Sequence, residues 1–312
     1  MKRGIILKHL ILLQNVMITK FRLENHRYLR CFLIALITAV LSFIYFIVRN
    51  KGFFTVCDDF NSQQLTFGTA VWNALHNGNG GQWVWNLDLG SSLVTGFSFY
   101  NLGSPFYWIS LPFPSGSFPY LTGWLYILKY VVATMTAYLY LNCFIHEDIN
   151  NKIAEKLSWK KAKPDAALIG ALLYAFSGFQ AVNLEFFHFH DVVALFPLLL
   201  WGIENVDDRK KRPLFILAVA INCLTNYFFF VQSVIFMLLY FVIRFWGTNA
   251  KEMLRKMGYC FLCGFIGVGL AAVIFIPSAI YISGSSRSSS AIYLSDFVFS
   301  LTGAACLYLQ IY

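Results

Sequence analysis

The sequence predicts an all-α, polytopic membrane protein with a long outer loop between its first two spans. Three observations carry that reading. Hydrophobic residues make up 58% of the chain and charged residues 12%. The mean hydropathy is +0.61. Apolar runs of about 20 residues, the length a bilayer asks of a spanning helix, alternate with short basic clusters. The formal net charge of +9 is concentrated in those clusters, so it reads as orientation in a cell membrane and excludes a nucleic-acid surface. The seven cysteines are an odd number, and Cys31, Cys143, Cys223, Cys260, Cys263 and Cys306 fall in or beside apolar runs. No disulfide framework is legible from them. Cys260-x-x-Cys263 has the spacing of a redox or zinc pair, but in an apolar helix its expected role is packing.

Each element follows from the rule that basic residues stay on the cytoplasmic side. Residues 1–30 carry Lys2, Arg3, Lys8, Lys20, Arg22, Arg27 and Arg30 and form a basic cytoplasmic segment ahead of a membrane domain over 31–312. Within that segment, residues 5–18 look like a signal-peptide core without a small-residue cleavage site; an amphipathic surface helix or an upstream mis-start is expected. Residues 31–49 are the first span and lead outward. Residues 50–118 hold Gly-Asn-Gly-Gly, several Trp, and Ser-Pro and Phe-Pro steps, which make a long outer loop with short interfacial helices.

Residues 119–145 return to a linker carrying Lys152, Lys156, Lys160, Lys161 and Lys163. Residues 166–182 go out, LEFFHFHD at 184–191 is a short outer turn, and 192–206 come back to DDRKKR at 207–212. The run 213–245 is followed by Lys251, Arg255 and Lys256, so both its ends belong on the basic side. Two short helices meeting near Asn222–Tyr227 satisfy that, and a single tilted helix is the alternative. Residues 258–282 go out to a Ser-rich loop with Arg287. The apolar run that opens near Phe297 stops at Tyr312, which reads as an unfinished span of a longer protein. About seven complete spans are expected at this length per span.

The outer loops then hold Asp58, Asp59, Gln63, Asn86, Asp88, Asn101, Glu185, His188, His190, Asp191 and Arg287. No relay of ionisable groups through the bilayer centre is apparent, so chemistry or recognition on one face is expected in preference to pumping.

The order of these pieces resembles a known family. A span is followed by V-C-D-D-F-N-S-Q-Q, then G-x-G-G-Q-W-x-W-N-L-D-L-G, Y-N-L-G-S-P-F-Y-W, F-H-F-H-D-x-x-x-L-F-P-L-L-L-W-G-I-E and T-N-Y-F-F-F. This set resembles the N-terminal part of the YfhO family of bacterial membrane proteins, over about residues 31 to 312. The resemblance implies a GT-C-like fold, a polyprenyl-phosphate-linked sugar as donor, and an extracytoplasmic cell-envelope polymer such as teichoic acid as acceptor. Family members are longer, so a C-terminal set of spans and an outer domain are expected to be missing here.

The family pattern places an essential acid just after the first span, which falls on Asp58 and Asp59. Chemistry gives a reason for it, because an attacking hydroxyl must lose its proton and a carboxylate within reach takes it. Asp59 is favoured slightly over Asp58, and the other reading is that either one caps the helix opening at Phe60. Gln63 lies in the same loop and is a candidate substrate contact. On a helix, Glu185, His188 and Asp191 share a face and suit a divalent metal or a phosphate; on an extended turn His188 and His190 pair instead. GT-C members differ in metal dependence, so a cofactor is left open. Arg287 suits the leaving polyprenyl phosphate, or is a solvated loop residue. Trp83 and Trp85, with Tyr100, Tyr107 and Trp108 nearby, either stack on a sugar or anchor the loop at the interface. A transporter or lipid-linked-sugar flippase and a non-catalytic scaffold are the alternatives. The broken run near Asn222 favours the former, and the outer acid pair disfavours the latter.

Overall fold

The computed structural model describes residues 2–77, 83–85, 87, 89–114, 116–145 and 165–284, with side chains from His26 onward. Arg287, Asn86, Asp88, the linker 146–164 and the run from Phe297 lie outside the described residues. The elements are α1 (Lys2–Arg49), a π-helical turn (Phe60–Gln64), α2 (Leu65–His76), β1 (Trp83–Val84), β2 (Ser91–Ser92), α3 (Leu93–Phe97), α4 (Pro105–Ser110) and α5 (Phe118–Leu141). They continue with α6 (Ala166–Ala175), α7 (Gly178–Val182), α8 (Phe189–Glu204), α9 (Arg212–Thr225), α10 (Tyr227–Phe245) and α11 (Ala250–Ser283). The fold is helical apart from the β1–β2 ribbon, as expected.

Helix α1 is continuous, so residues 5–18 and the first span are one helix with no break at residue 30. Cys31, Ala35, Ala39, Phe43 and Ile47, every fourth residue, are buried, and Ile37, Leu41, Tyr45 and Val48 are exposed on the other face. Apolar side chains gain nothing by leaving lipid, so the small Ala35 and Ala39 matter because they let helices approach closely. The buried stripe packs on α5.

Helix α6 starts at Asp165, whose carboxylate accepts the Leu168 N–H at 3.1 Å and ion-pairs with Arg30 at 2.5 Å. The run 213–245 is two helices. Asn226 stands between them in extended conformation, its Oδ1 accepting the Phe229 N–H and its Nδ2 donating to the Phe99 carbonyl, both at 3.1 Å. The single tilted helix is therefore excluded. Gly103 lies directly on the Leu224 backbone beside this break, where a Cβ has no room.

The expected seven spans need correction. Helices occupy all seven places, but four of the described ones are long and apolar enough to cross a membrane: His26–Arg49, Phe118–Leu141, Tyr227–Phe245 and Ala250–Ser283. Helix α8 has 16 residues and α9 has 14, and α6 ends at Ala175 before an extended Ser177. The reason lies on α5. Tyr126 donates to the Leu184 carbonyl at 2.6 Å and Lys129 to the Phe187 carbonyl at 2.7 Å. Those two residues sit about 12 and 16 Å down α5 from Phe118 at 1.5 Å per residue. The 184–191 turn is thus drawn into the bundle and is not a surface turn.

The first loop also doubles back. Phe54 packs on Phe43 and Tyr126, with ring centroids at 6.0 and 5.3 Å, and its N–H donates to the Pro119 carbonyl at 3.2 Å. Residues 57 to 64 are consequently recessed toward the same turn. The orientation read from the basic clusters is testable by cysteine labelling on a background without the native cysteines. Applied outside the cell, an impermeant maleimide is expected to tag Gly78→Cys and spare Lys156→Cys. The reverse pattern would invert the assignment of every loop.

Candidate functional site

Asp58 stands at φ 44°, in the left-handed region. Of the non-glycine residues, Asp and Asn tolerate that region best. The turn aims the chain back into the π-helical segment, where the Leu65 N–H reaches the Phe60 carbonyl; such segments recur at functional sites. Asp59 holds the position before this turn but makes no capping hydrogen bond with its side chain. Its Oδ1 instead accepts from Gln63 Nε2 at 2.7 Å. The helix-cap reading therefore fails for Asp59. Ligand atoms of Cys57, Asp58 and Glu185 lie within 4.8 Å of one another on the accessible surface.

Behind this patch is a buried polar frame. Lys129 and Asp191 form an ion pair at 2.5 Å with both side chains fully buried. The Lys129 ammonium also lies 2.9 Å from the Phe187 ring centroid. His188 is buried, with Nδ1 3.1 Å from Gln64 Oε1, and its ring meets those of Phe99 and Tyr100 at 5.0 and 5.2 Å. His190 hydrogen-bonds the Asn183 carbonyl at 3.0 Å and stacks on Tyr130. The chain therefore links α5 to the 184–191 turn, the turn to Gln64, and the π turn to Asp59. In the first loop, Tyr107 is buried and donates to the Gly68 carbonyl at 2.5 Å; burial pushes its phenol well above the ordinary range and keeps it a donor.

The expected grouping of Glu185, His188 and Asp191 around one metal is not what the structure brings together. Glu185 turns to Asp58, while His188, His190 and Asp191 point into the bundle and are held by Gln64, Asn183 and Lys129. His190 and Asp191 already belong to the first turn of α8, and His188, His190 and Asp191 each meet a different partner, so neither spacing gathers the expected set around one ion.

An apolar cavity of about 330 Å³ opens beside the patch. It is lined by Ser42, Phe43 and Phe46 of α1, by Val56, and by Ala181 and Leu184. Val56 directly precedes Cys57 and Asp58, and Leu184 directly precedes Glu185. The Asp58 and Glu185 carboxylates thus follow closely in the chain on two residues of the cavity lining.

The family model described as "Bacterial membrane protein YfhO" matches residues 31–303. The chain belongs to the YfhO family. It is 26% identical over 117 residues to "Uncharacterized protein YfhO" of Bacillus subtilis (strain 168). That match covers 36% of this chain and 14% of the relative, so the chain spans a small part of the curated protein it resembles. No solved structure matches.

Other motifs that carry the YfhO likeness lie in the first loop. Trp83 and Trp85 are exposed on the ribbon and meet edge to face at 5.9 Å. Trp83 lies over Gly90, whose φ of +110° no other residue adopts readily. Tyr100 and Trp108 brace the loop, the latter through Nε1 to the Leu102 carbonyl at 2.7 Å. Three contributors escaped the sequence reading: Cys57, Gln64 and Lys129. The sequence did hold a signal for Lys129, because a lone cation inside an apolar run requires a partner.

Proposed function

We propose that this chain carries the catalytic carboxylate of a membrane glycosyltransferase that moves a sugar from a polyprenyl-phosphate carrier to an extracytoplasmic envelope polymer such as teichoic acid. The observation that carries the reading is a carboxylate patch whose residues adjoin, in the chain, the lining of an apolar cavity. A polyprenyl phosphate has a long apolar chain suited to the cavity, and a divalent ion held by the carboxylates would let its anionic head approach them. Its chain fits between α1 and the 181–184 segment, and the sugar-phosphate head then lies at Asp58, Asp59 and Glu185.

Asp59 is the base in this reading. It takes the proton of the acceptor hydroxyl while that oxygen forms a bond to the anomeric carbon, the carbon–oxygen bond to phosphate breaks, and polyprenyl phosphate leaves. One inverting displacement needs no protein nucleophile. Gln63 orients the carboxylate. Cys57, Asp58 and Glu185 fit a divalent ion, the two carboxylates suiting a hard one, and a bound ion would neutralise the leaving phosphate. Trp83 and Trp85 are candidates for the sugar or for the interface, and Arg287 is a candidate for the phosphate.

The test is transfer of labelled sugar from a synthetic polyprenyl-phosphate donor to envelope polymer in membranes carrying the protein. Transfer is expected, with activity lost in excess chelator and restored by Mg²⁺ or Mn²⁺, and with Glu185→Gln demanding more metal for restoration. Full activity in chelator would remove the ion and leave the carboxylates as hydrogen-bonding groups. The discontinuities at Ser177 and Asn226 favour a flippase as second reading. Movement of the intact lipid-linked sugar across the bilayer with no transfer would select it.

A further inference from the structure

A second cavity lies between α10 and α11, with α9 as its floor, and measures about 400 Å³. Its walls run from Phe230 to Val242 on α10 and from Met257 to Val268 on α11. That is about 17 Å at 1.5 Å per residue, close to half of a hydrocarbon core of about 30 Å. The lining is apolar throughout apart from the Cys260 thiol. Gly264 lies in the wall, and a Cβ there would meet no atom within 4 Å.

The slot ends at the basic clusters. Glu204 pairs with Arg244, and Asp207 pairs with Arg255 and Lys256 at 3.3 and 3.4 Å. The Asp207 pairs bring the 207–211 loop against the first turns of α11. Lys256 also pairs with Glu252 and sits 4.5 Å over the Phe245 ring. Among the described residues, the exposed Arg209, Lys210 and Lys251 enter no ion pair. An apolar slot one leaflet deep therefore opens beside a surplus of positive charge.

We propose that this slot binds an anionic glycerophospholipid, one acyl chain lying between α10 and α11 and the headgroup phosphate at Arg209, Lys210 and Lys251. Charge complementarity selects the occupant. A zwitterionic lipid offers the same chain but no net charge to the rim, whereas each basic residue near an anionic headgroup adds attraction. The site is separate from the acidic patch, and the proposal is independent of glycosyl transfer.

The experiment is native mass spectrometry of the detergent-purified protein titrated with phosphatidylglycerol or phosphatidylcholine. Phosphatidylglycerol is expected to be retained at roughly tenfold lower concentration than phosphatidylcholine. Gly264→Phe, which fills the slot, is expected to abolish that retention. The exposed double variant Arg209→Gln/Lys251→Gln, which has no core contact to lose, is expected to erase the preference and keep the weak phosphatidylcholine binding. Equal retention of the two lipids in the unaltered protein would overturn the proposal, as would phosphatidylglycerol retention unaffected by Gly264→Phe. Retention of no lipid at all would assign the slot to a protein segment or a second copy.

Discussion

Replacing Asp59 by Asn is expected to lower sugar transfer by roughly 100-fold or more, the usual scale for losing a positioned base, while insertion and folding are kept. Asn still presents an Oδ1 to Gln63 Nε2, so the 2.7 Å hydrogen bond that holds the side chain survives. No capping bond is lost, because Asp59 makes none. What disappears is the ability to accept a proton. Asp58→Asn is equally gentle to the backbone, since Asn tolerates the φ of 44° as well as Asp does. It removes a carboxylate from the Cys57–Asp58–Glu185 set, so its defect is expected to shrink at high divalent-metal concentration. The Asp59→Asn defect is not. The assay is transfer normalised to inserted protein, and near wild-type rates in both single variants and in the double variant would sink the catalytic reading.

How far the sequence led can be judged residue by residue. The first span over 31–49 and the basic residues on both sides of 213–245 were readable, because the length of an apolar run and local charge report directly on a lipid-facing helix and on a hairpin. The depth of a turn does not show in either signal. Counting directions treats every apolar run as a full crossing, whereas α6, α8 and α9 are each shorter than the roughly 20 residues that a crossing takes. His190 and Asp191 were therefore placed on the surface, whereas Lys129 and Tyr130 of α5 hold them inside. The meeting of Glu185 with Asp58 was equally hidden, since it depends on Phe54 folding back onto Tyr126. Asp58 and Asp59 were singled out because a family likeness and a chemical need fell on the same two residues. Gln64 carried no such mark; an amide in an amphipathic loop looks the same whether it meets water or a buried histidine.

Removing Lys129 alone is expected to destabilise the protein by about 3–5 kcal/mol, because it leaves a buried carboxylate without its cation. Both partners are fully buried and 2.5 Å apart. In Lys129→Met the chain length is kept and the charge is lost, so Asp191 must be buried unpaired or take up a proton. Asp191→Asn creates the converse fault, a buried ammonium without a carboxylate, held by the Phe187 carbonyl and by the Phe187, Phe106 and Tyr126 rings. The double variant Lys129→Met/Asp191→Leu removes both charges together. Its expected cost is smaller, about 1–3 kcal/mol for leaving the Phe187 carbonyl without its donor, because neither buried charge remains. Denaturation midpoints of the purified variants in mild detergent measure the difference. If the ion pair also sets where the turn lies, the double variant should recover stability without recovering transfer, since Glu185 is two residues from the Phe187 anchor and reaches Asp58 only from that position. Single variants no less stable than the double would show that the pair is solvated and places nothing.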